Sequence, residues 1–308
     1  MISFYESDRG FNSTPEWKPE CWVRVDCLND EDRTFLIEKF GAPVAFLNDI
    51  EDIDERPRIE YENGWFLIIL RVPYKSNDEN QPFITVPLGL IFKENVFISV
   101  CVYQTEMLQD FVLYTKRKQL TVRNNFDLVL KLILSSSVWF LKYLKQINQQ
   151  IKIAELKLEK SIQNEDLQTL LRIEKCMVYF TTSLKGNDIL IHRLKNLKDY
   201  KDTYDPELVE DVEIELRQAQ ETTNIYSDIL SGMMDAYASV ISNNLNVIMK
   251  ILTSISIILM IPTLVASLYG MNVHNNLENN TWGFWIILGV SIFLSLVGIM
   301  MFKIKKWF

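Results

Sequence analysis

Two long runs near the C-terminal end of the chain carry no charged side chain, and they restrict its fold more than any other feature. The first extends from Ile251 to Leu268, the second from Trp282 to Phe302. A bilayer core ~30 Å thick is crossed by about 20 apolar residues in a helix. Both runs meet that requirement, the first as the end of a helical pattern that continues back through Asn246. The alternative, a buried hairpin in a soluble protein, would leave Trp282, Trp285 and Trp307 without the interfacial role their positions suggest. Lys250 precedes the first run, and Lys303, Lys305 and Lys306 follow the second, whereas residues 269–281 contain no Lys or Arg. Positive-inside reasoning therefore places both termini in the cytoplasm and the connecting loop outside. The expected location is the cell (plasma or inner) membrane, crossed more than once.

Elsewhere the chain is rich in charge. A net charge of −8 over 308 residues argues against a nucleic-acid or anionic-surface binder and suits a protein that concentrates cations. The opening residues, Met1 to Glu6, have no basic stretch followed by an apolar one, so no cleavable signal is expected. Cys21, Cys27, Cys101 and Cys176 form no C-x-x-C pair, and buried free thiols in a reducing compartment are the expectation. The motifs H-E-x-x-H, G-x-S-x-G, G-x-G-x-x-G and G-x-x-x-x-G-K-[ST] are absent. Histidine is too scarce for most general-base chemistry, so no enzymatic activity is expected.

The first part of the chain reads as an α/β module ending near residue 120. Glu20–Leu28 has the pattern of a strand, and a capped helix is predicted from Asp30 to Phe40. Asn63-Gly64 is a strong hairpin signal between the apolar segments Arg58–Tyr61 and Trp65–Val72. A second hairpin is expected from Phe83–Phe92 and Val96–Val102 around Lys93-Glu94-Asn95. From about Asn125 to Asn246, Gly and Pro almost vanish and apolar residues recur at helical spacing. Breaks are predicted near Asn164, where Ser161 to Asp166 carries cap chemistry, and at Tyr200–Pro206. Asp205-Pro206-Glu207 is a helix start: a cap, then Pro in the first turn, then an acid near the positive end of the dipole. Two antiparallel helices are expected, followed by one from about Pro206 to Leu268, roughly 90 Å at 1.5 Å per residue. The resulting divisions are 1–120 (α/β domain), 121–205 (antiparallel helices), 206–250 (stalk), 251–268 (first span), 269–281 (outer loop), 282–302 (second span) and 303–308 (basic tail).

Acids dominate the stalk: Glu207, Glu210, Asp211, Glu213, Glu215, Glu221, Asp228 and Asp235 face only Arg217 before Lys250. Glu207, Glu221, Asp228 and Asp235 are separated by multiples of seven and so share nearly one face. Such a face is either solvated or, repeated around a symmetry axis, the wall of a funnel that attracts cations.

The loop after the first span begins Tyr269-Gly270-Met271-Asn272. Following the first of two C-terminal spans, with a basic tail after the second, this segment resembles the Gly-Met-Asn signature of the CorA magnesium/cobalt transporter family. Asn246 to Thr253 (NVIMKILT) is similar to the family's start of the pore helix. Leu47-Asn48-Asp49-Ile50 with Glu55-Arg56-Pro57-Arg58 is similar to its L-E-D-I and Q-R-P-K segments. The resemblance implies a funnel-shaped homopentamer in the lipid bilayer whose first spans line one axial pore for divalent cations. The transported ion would be Mg²⁺, with Co²⁺, Ni²⁺ or Zn²⁺ as further candidates, the last through the ZntB branch of the superfamily. In those roles Tyr269, Gly270, Met271 and Asn272 form the selectivity filter. Asn246, Met249, Leu252, Met260, Thr263 and Ser267 line the pore, with Met249, Leu252 and Met260 as apolar constrictions. Asp49 and Asp211 hold regulatory Mg²⁺ between subunits, and Glu278 attracts cations at the outer mouth. Taken without the resemblance, the Met and Leu positions equally describe helix packing, Asp211 a solvated acid and His274 a solvated side chain. Departures from the family pattern are Asn48 in place of Glu, Ser267 in place of Gly, Pro262 displaced by one residue, and Asn275-Asn276-Leu277-Glu278 in place of M-P-E-L.

Overall fold

The computed structural model describes residues 1–160, 164–197, 205–271, 281–305 and 307, and it divides into two compact units, Met1–Gly232 and Met233–Phe308. The predicted cap at Ser161 and the residue Tyr200 lie outside the described residues.

The first unit is built on a seven-stranded sheet in the order β2-β1-β3-β7-β6-β5-β4. Its strands are β1 (Ile2–Ser7), β2 (Phe11–Thr14), β3 (Trp22–Asp26), β4 (Arg58–Glu62), β5 (Trp65–Lys75), β6 (Phe83–Lys93) and β7 (Val96–Cys101). All neighbours are antiparallel except β3 and β7, which run parallel with Trp22 beside Phe97. Both predicted hairpins are present. Asn63 and Gly64 have φ of 51° and 84°, the doubly left-handed turn whose twist matches paired strands. In helix α1 (Asp30–Phe40) the Asn29 side chain accepts from the Asp32 N–H, and Gly41 closes the helix at φ 70°.

One face of the sheet packs on α1 and α2 (Val44–Glu51). Leu36, Phe46, Leu47 and Ile50 interleave there with Val23, Leu67, Ile69, Ile91 and Val100. Glycine at position 89 is a packing requirement: a Cβ there would lie 2.1 Å from Ile50 Cδ1. That close approach seats α2 on β6 and fixes the residue just before Ile50 on the helix, Asp49.

Helix α3 (Glu106–Lys118) leads into α4 (Asn125–Lys160) and α5 (Asn164–Lys195). The last two hold the sheet by a specific polar contact. β4 pairs with β5 only as far as Ile69, so the next backbone groups of β5 need other partners. Asn187 of α5 supplies them, its Oδ1 accepting from Arg71 N at 2.9 Å and its Nδ2 donating to Arg71 O at 2.8 Å. Asn187 is buried. Asn187→Leu removes the acceptor of Arg71 N and leaves Arg71 O with only the 3.5 Å bond from Ser136 Oγ, and an unsatisfied buried group costs ~1–3 kcal/mol. We expect the unfolding free energy of the mutant's first unit to fall by about 1–3 kcal/mol in urea unfolding, with a correspondingly lower denaturant midpoint. An unchanged midpoint would mean that water replaces the amide freely.

Cys21, Cys101 and Cys176 are buried free thiols, while Cys27 is exposed and free. Burial pushes the Cys101 thiol up to about 12.

Helix α6 (Pro206–Tyr269) is continuous through the boundary between the units, and α7 (Gly283–Ile304) completes the second unit. Both helices are long and apolar enough to cross a membrane.

Candidate functional site

Within the second unit, α6 has one covered flank. Ser254 is buried, and Ile251, Ile258, Ile261, Val265 and Tyr269 are half-buried. Helix α7 approaches this flank closely enough that a Cβ on Gly298 would sit 3.3 Å from Ile261 Cδ1 and 3.9 Å from Ile258 Cγ1. Small residues allow that spacing, with Ser291 also buried on α7.

A helix turns about 100° per residue, so the covered residues share one direction and Met249, Leu252, Met260, Thr263 and Ser267 point roughly 180° away from it. All five are exposed, Leu252 at 57% and Met260 at 66%. Asn246, also exposed, lies at the margin of the same stripe. Packing by α7 therefore does not account for the Met and Leu positions in this chain, and the flank they occupy is open.

Toward the end of α6, Tyr269 belongs to the covered flank and Met271 is exposed. Gly270 N donates to Ala266 O at 2.9 Å, continuing the helical ladder. Its φ lies outside the left-handed region, so a tight turn is not what calls for glycine here. A Cβ on Gly270 would instead come within 3.2 Å of the Ala266 carbonyl oxygen. Asn272, His274 and Glu278 lie outside the described residues.

The candidate regulatory acids lie in the first unit. Asp49, half-buried on α2, accepts from Arg58 Nη2 at 2.8 Å. The same guanidinium donates from Nε to Glu60 Oε1 at 2.7 Å and pairs with Glu55 through Nη1. Three carboxylates thus surround one cation. Burial raises the Asp49 carboxyl above the usual carboxylate range, opposed by Arg58 and assisted by Glu60 and Glu55. The Arg71 guanidinium holds the loop before Arg58, donating to the carbonyls of Ile53 and Glu55 and to Thr85 O at 2.5 Å.

Asp211 is exposed on α6, as are Glu207, Glu210, Glu221 and Asp228, while Val212, Leu216, Ala219 and Leu230 are buried. Glu213 pairs with Lys195 at 2.6 Å, and Asp235 is exposed in the second unit. Among the described residues no group of three or more His, Cys, Asp or Glu is placed to hold a metal ion, so one chain does not gather Asp49 and Asp211 into such a site.

Two residues of this site went unassigned from sequence. Arg58 was visible only as part of a motif, because its three partners are brought together by the fold. Ser256 sits in the middle of the open stripe and was detectable from the helical period alone.

The family described as CorA-like Mg²⁺ transporter protein matches residues 18–306. The chain is 26% identical over 292 residues to the cobalt/magnesium transport protein CorA of Methanocaldococcus jannaschii, covering 92% of this chain and 91% of that protein. The complete structure of the CorA magnesium transporter from the same organism superposes with a TM-score of 0.84 at 24% identity, covering 100% of this chain and 99% of the other. A ZntB cytoplasmic domain from Vibrio parahaemolyticus matches with a TM-score of 0.60 at 14% identity, covering 80% of this chain and 98% of that domain.

Proposed function

The chain belongs to the CorA-like Mg²⁺ transporter family, and from that premise we propose that it is a passive divalent-cation channel that takes up Mg²⁺, and also Co²⁺, with cytoplasmic Mg²⁺ as feedback. It is a membrane protein of a transporter family and not an enzyme.

The open stripe on α6 carries this reading. One helix cannot enclose a pore, and a stripe of Met, Leu, Thr and Ser opposite the α7 flank is unexplained in an isolated copy. Several copies around an axis turn those stripes toward one another, and a homopentamer is the assembly that the family resemblance implies. Rings of Met249, Leu252 and Met260 then form apolar constrictions able to close by dewetting. At the outer end, Mg²⁺ dehydrates reluctantly, so an entrance lined by Asn272 carbonyls can accept hydrogen bonds from its bound water without removing the shell. Glu278 would draw cations to that mouth. No ATP-binding motif is required, because an inside-negative potential favours influx by ~2.3 kcal/mol per charge per 100 mV.

Asp49 and Asp211 fit a regulatory site only if two subunits contribute, one carboxylate each. A bound dication would hold together two acids that otherwise repel, and would thereby favour the closed arrangement.

The test is uptake into proteoliposomes holding a metal-sensitive dye, with Mg²⁺, Co²⁺, Ni²⁺ and Zn²⁺ compared with and without a proton gradient. We expect gradient-driven Mg²⁺ and Co²⁺ flux that is independent of protons. Zinc flux that requires a proton gradient would favour the ZntB-like reading, and no divalent flux at all would leave a membrane-anchored stalk or sensor.

A further inference from the structure

The geometry points to Ser256 as an ion-water contact inside the pore, a hydrophilic station that divides the apolar constriction between Leu252 and Met260; this rests on the pore reading above. Three observations carry it. Ser256 is exposed on α6 and lies seven residues from both Met249 and Thr263, so it falls in the middle of the open stripe, away from the flank that α7 covers. Its hydroxyl donates to the Leu252 carbonyl at 2.9 Å, as Thr263 Oγ1 does to Leu259 O at 3.1 Å. With the only proton of the hydroxyl committed to the helix, each oxygen is left as an acceptor facing outward. A hydrated cation presents hydrogens from its water shell, and an acceptor is what such a shell needs.

The placement has a consequence for conduction. From Leu252 to Met260 the helix rises roughly 12 Å. A narrow apolar passage of that length excludes water readily. Serine at the midpoint shortens each dry stretch to about half, so the column of water can bridge the constriction when the rings part. Ser254 provides the internal contrast. It makes the same bond, to the Lys250 carbonyl at 2.8 Å, but is buried on the α7 flank.

Ser256→Ala, Ser256→Thr and Ser254→Ala are compared in proteoliposomes by Mg²⁺ uptake, after size-exclusion chromatography has established equal assembly. We expect Ser256→Ala to lower the maximal rate by about fivefold or more, with Ser256→Thr and Ser254→Ala within about twofold of wild type. Separately, a cationic methanethiosulfonate should inhibit Ser256→Cys far more than it inhibits wild type, whose own four cysteines supply the baseline, or Ser254→Cys. Normal flux in Ser256→Ala together with an unreactive Ser256→Cys, in a preparation whose wild type transports Mg²⁺, overturns the station while leaving the channel intact. Absence of wild-type flux overturns both, and is seen before any mutant is measured.

Discussion

Asn272→Ala is expected to lower Mg²⁺ uptake by about 100-fold or more without disturbing assembly, an added barrier of ~2.7 kcal/mol. In the proposed filter each Asn272 carbonyl would accept from the ion's water, and a single such bond is worth ~0.5–1.5 kcal/mol net. In the proposed homopentamer five of them would act on one hydrated ion, which is enough for that barrier at about the middle of this range. Alanine removes the acceptors. Asn272→Asp separates recognition from passage: a ring of carboxylates should bind the dication more tightly and release it more slowly, so flux falls while occupancy rises. Dye-loaded proteoliposomes measure the rate, and native mass spectrometry the assembly. Wild-type flux through a correctly assembled Asn272→Ala channel would remove the filter from this loop.

Replacing Asp211 with Lys is expected to produce the opposite kind of defect, a channel held closed at low Mg²⁺. The lysine ammonium would take the place of the proposed dication, beside Asp49 of a neighbouring copy. Moving an equilibrium from 1:99 to 99:1 takes ~5.5 kcal/mol, which the five equivalent sites of the proposed homopentamer would supply at roughly 1.1 kcal/mol each. The double variant Asp49→Asn with Asp211→Asn loses both the bound ion and the repulsion felt without it, so inhibition by internal Mg²⁺ weakens and no locked state appears. Arg58 adds a further arm. It now neutralises Asp49 from within the same subunit, and Arg58→Gln should shift inhibition to several-fold lower Mg²⁺ by removing the competing cation. Because the Asp49 carboxyl is raised above its ordinary range, inhibition should also weaken on acidification earlier than for an ordinary aspartate, since the protonated acid no longer ligates. Flux is measured against internal Mg²⁺ for each variant. Superimposed curves would reduce these aspartates to surface charges.

Local chemistry made much of the fold legible in advance. Asn63-Gly64 and Asn29 each determine a backbone conformation through their own side chain or lack of one, and both hairpins and the first helix follow. The edge strand β2 and its inner neighbour β1 were not anticipated, because Ile2 to Thr14 mixes polar and apolar residues and shows no clean alternation. Helix α2 was passed over as a motif segment; it is short, and Pro43 at its N-cap makes no side-chain hydrogen bond. The parallel pairing of β3 with β7 joins residues some 75 positions apart, as with Trp22 and Phe97, and no local pattern encodes it. At the candidate site the period of α6 was enough to draw the stripe. What it could not supply was the side on which α7 lies, which is fixed by the close approach of Gly298 to Ile258 and Ile261. Ser256 is harder to single out for a different reason: a lone serine suits a packed helix face as well as a pore wall, and only the side on which α7 lies separates Ser256 from the buried Ser254.

The hydroxyls of the two spans bear on how the chain is made. Ser254, Ser256 and Thr263 in α6, and Ser291 and Ser295 in α7, each donate to the carbonyl four residues earlier in their own helix. None of these donors waits for a neighbouring helix, so each is satisfied in lipid as soon as its own turn has formed. The two segments can therefore leave the translocon singly, before they meet each other and before any second copy has been synthesised. For these five side chains insertion imposes no polar penalty that assembly would later have to relieve.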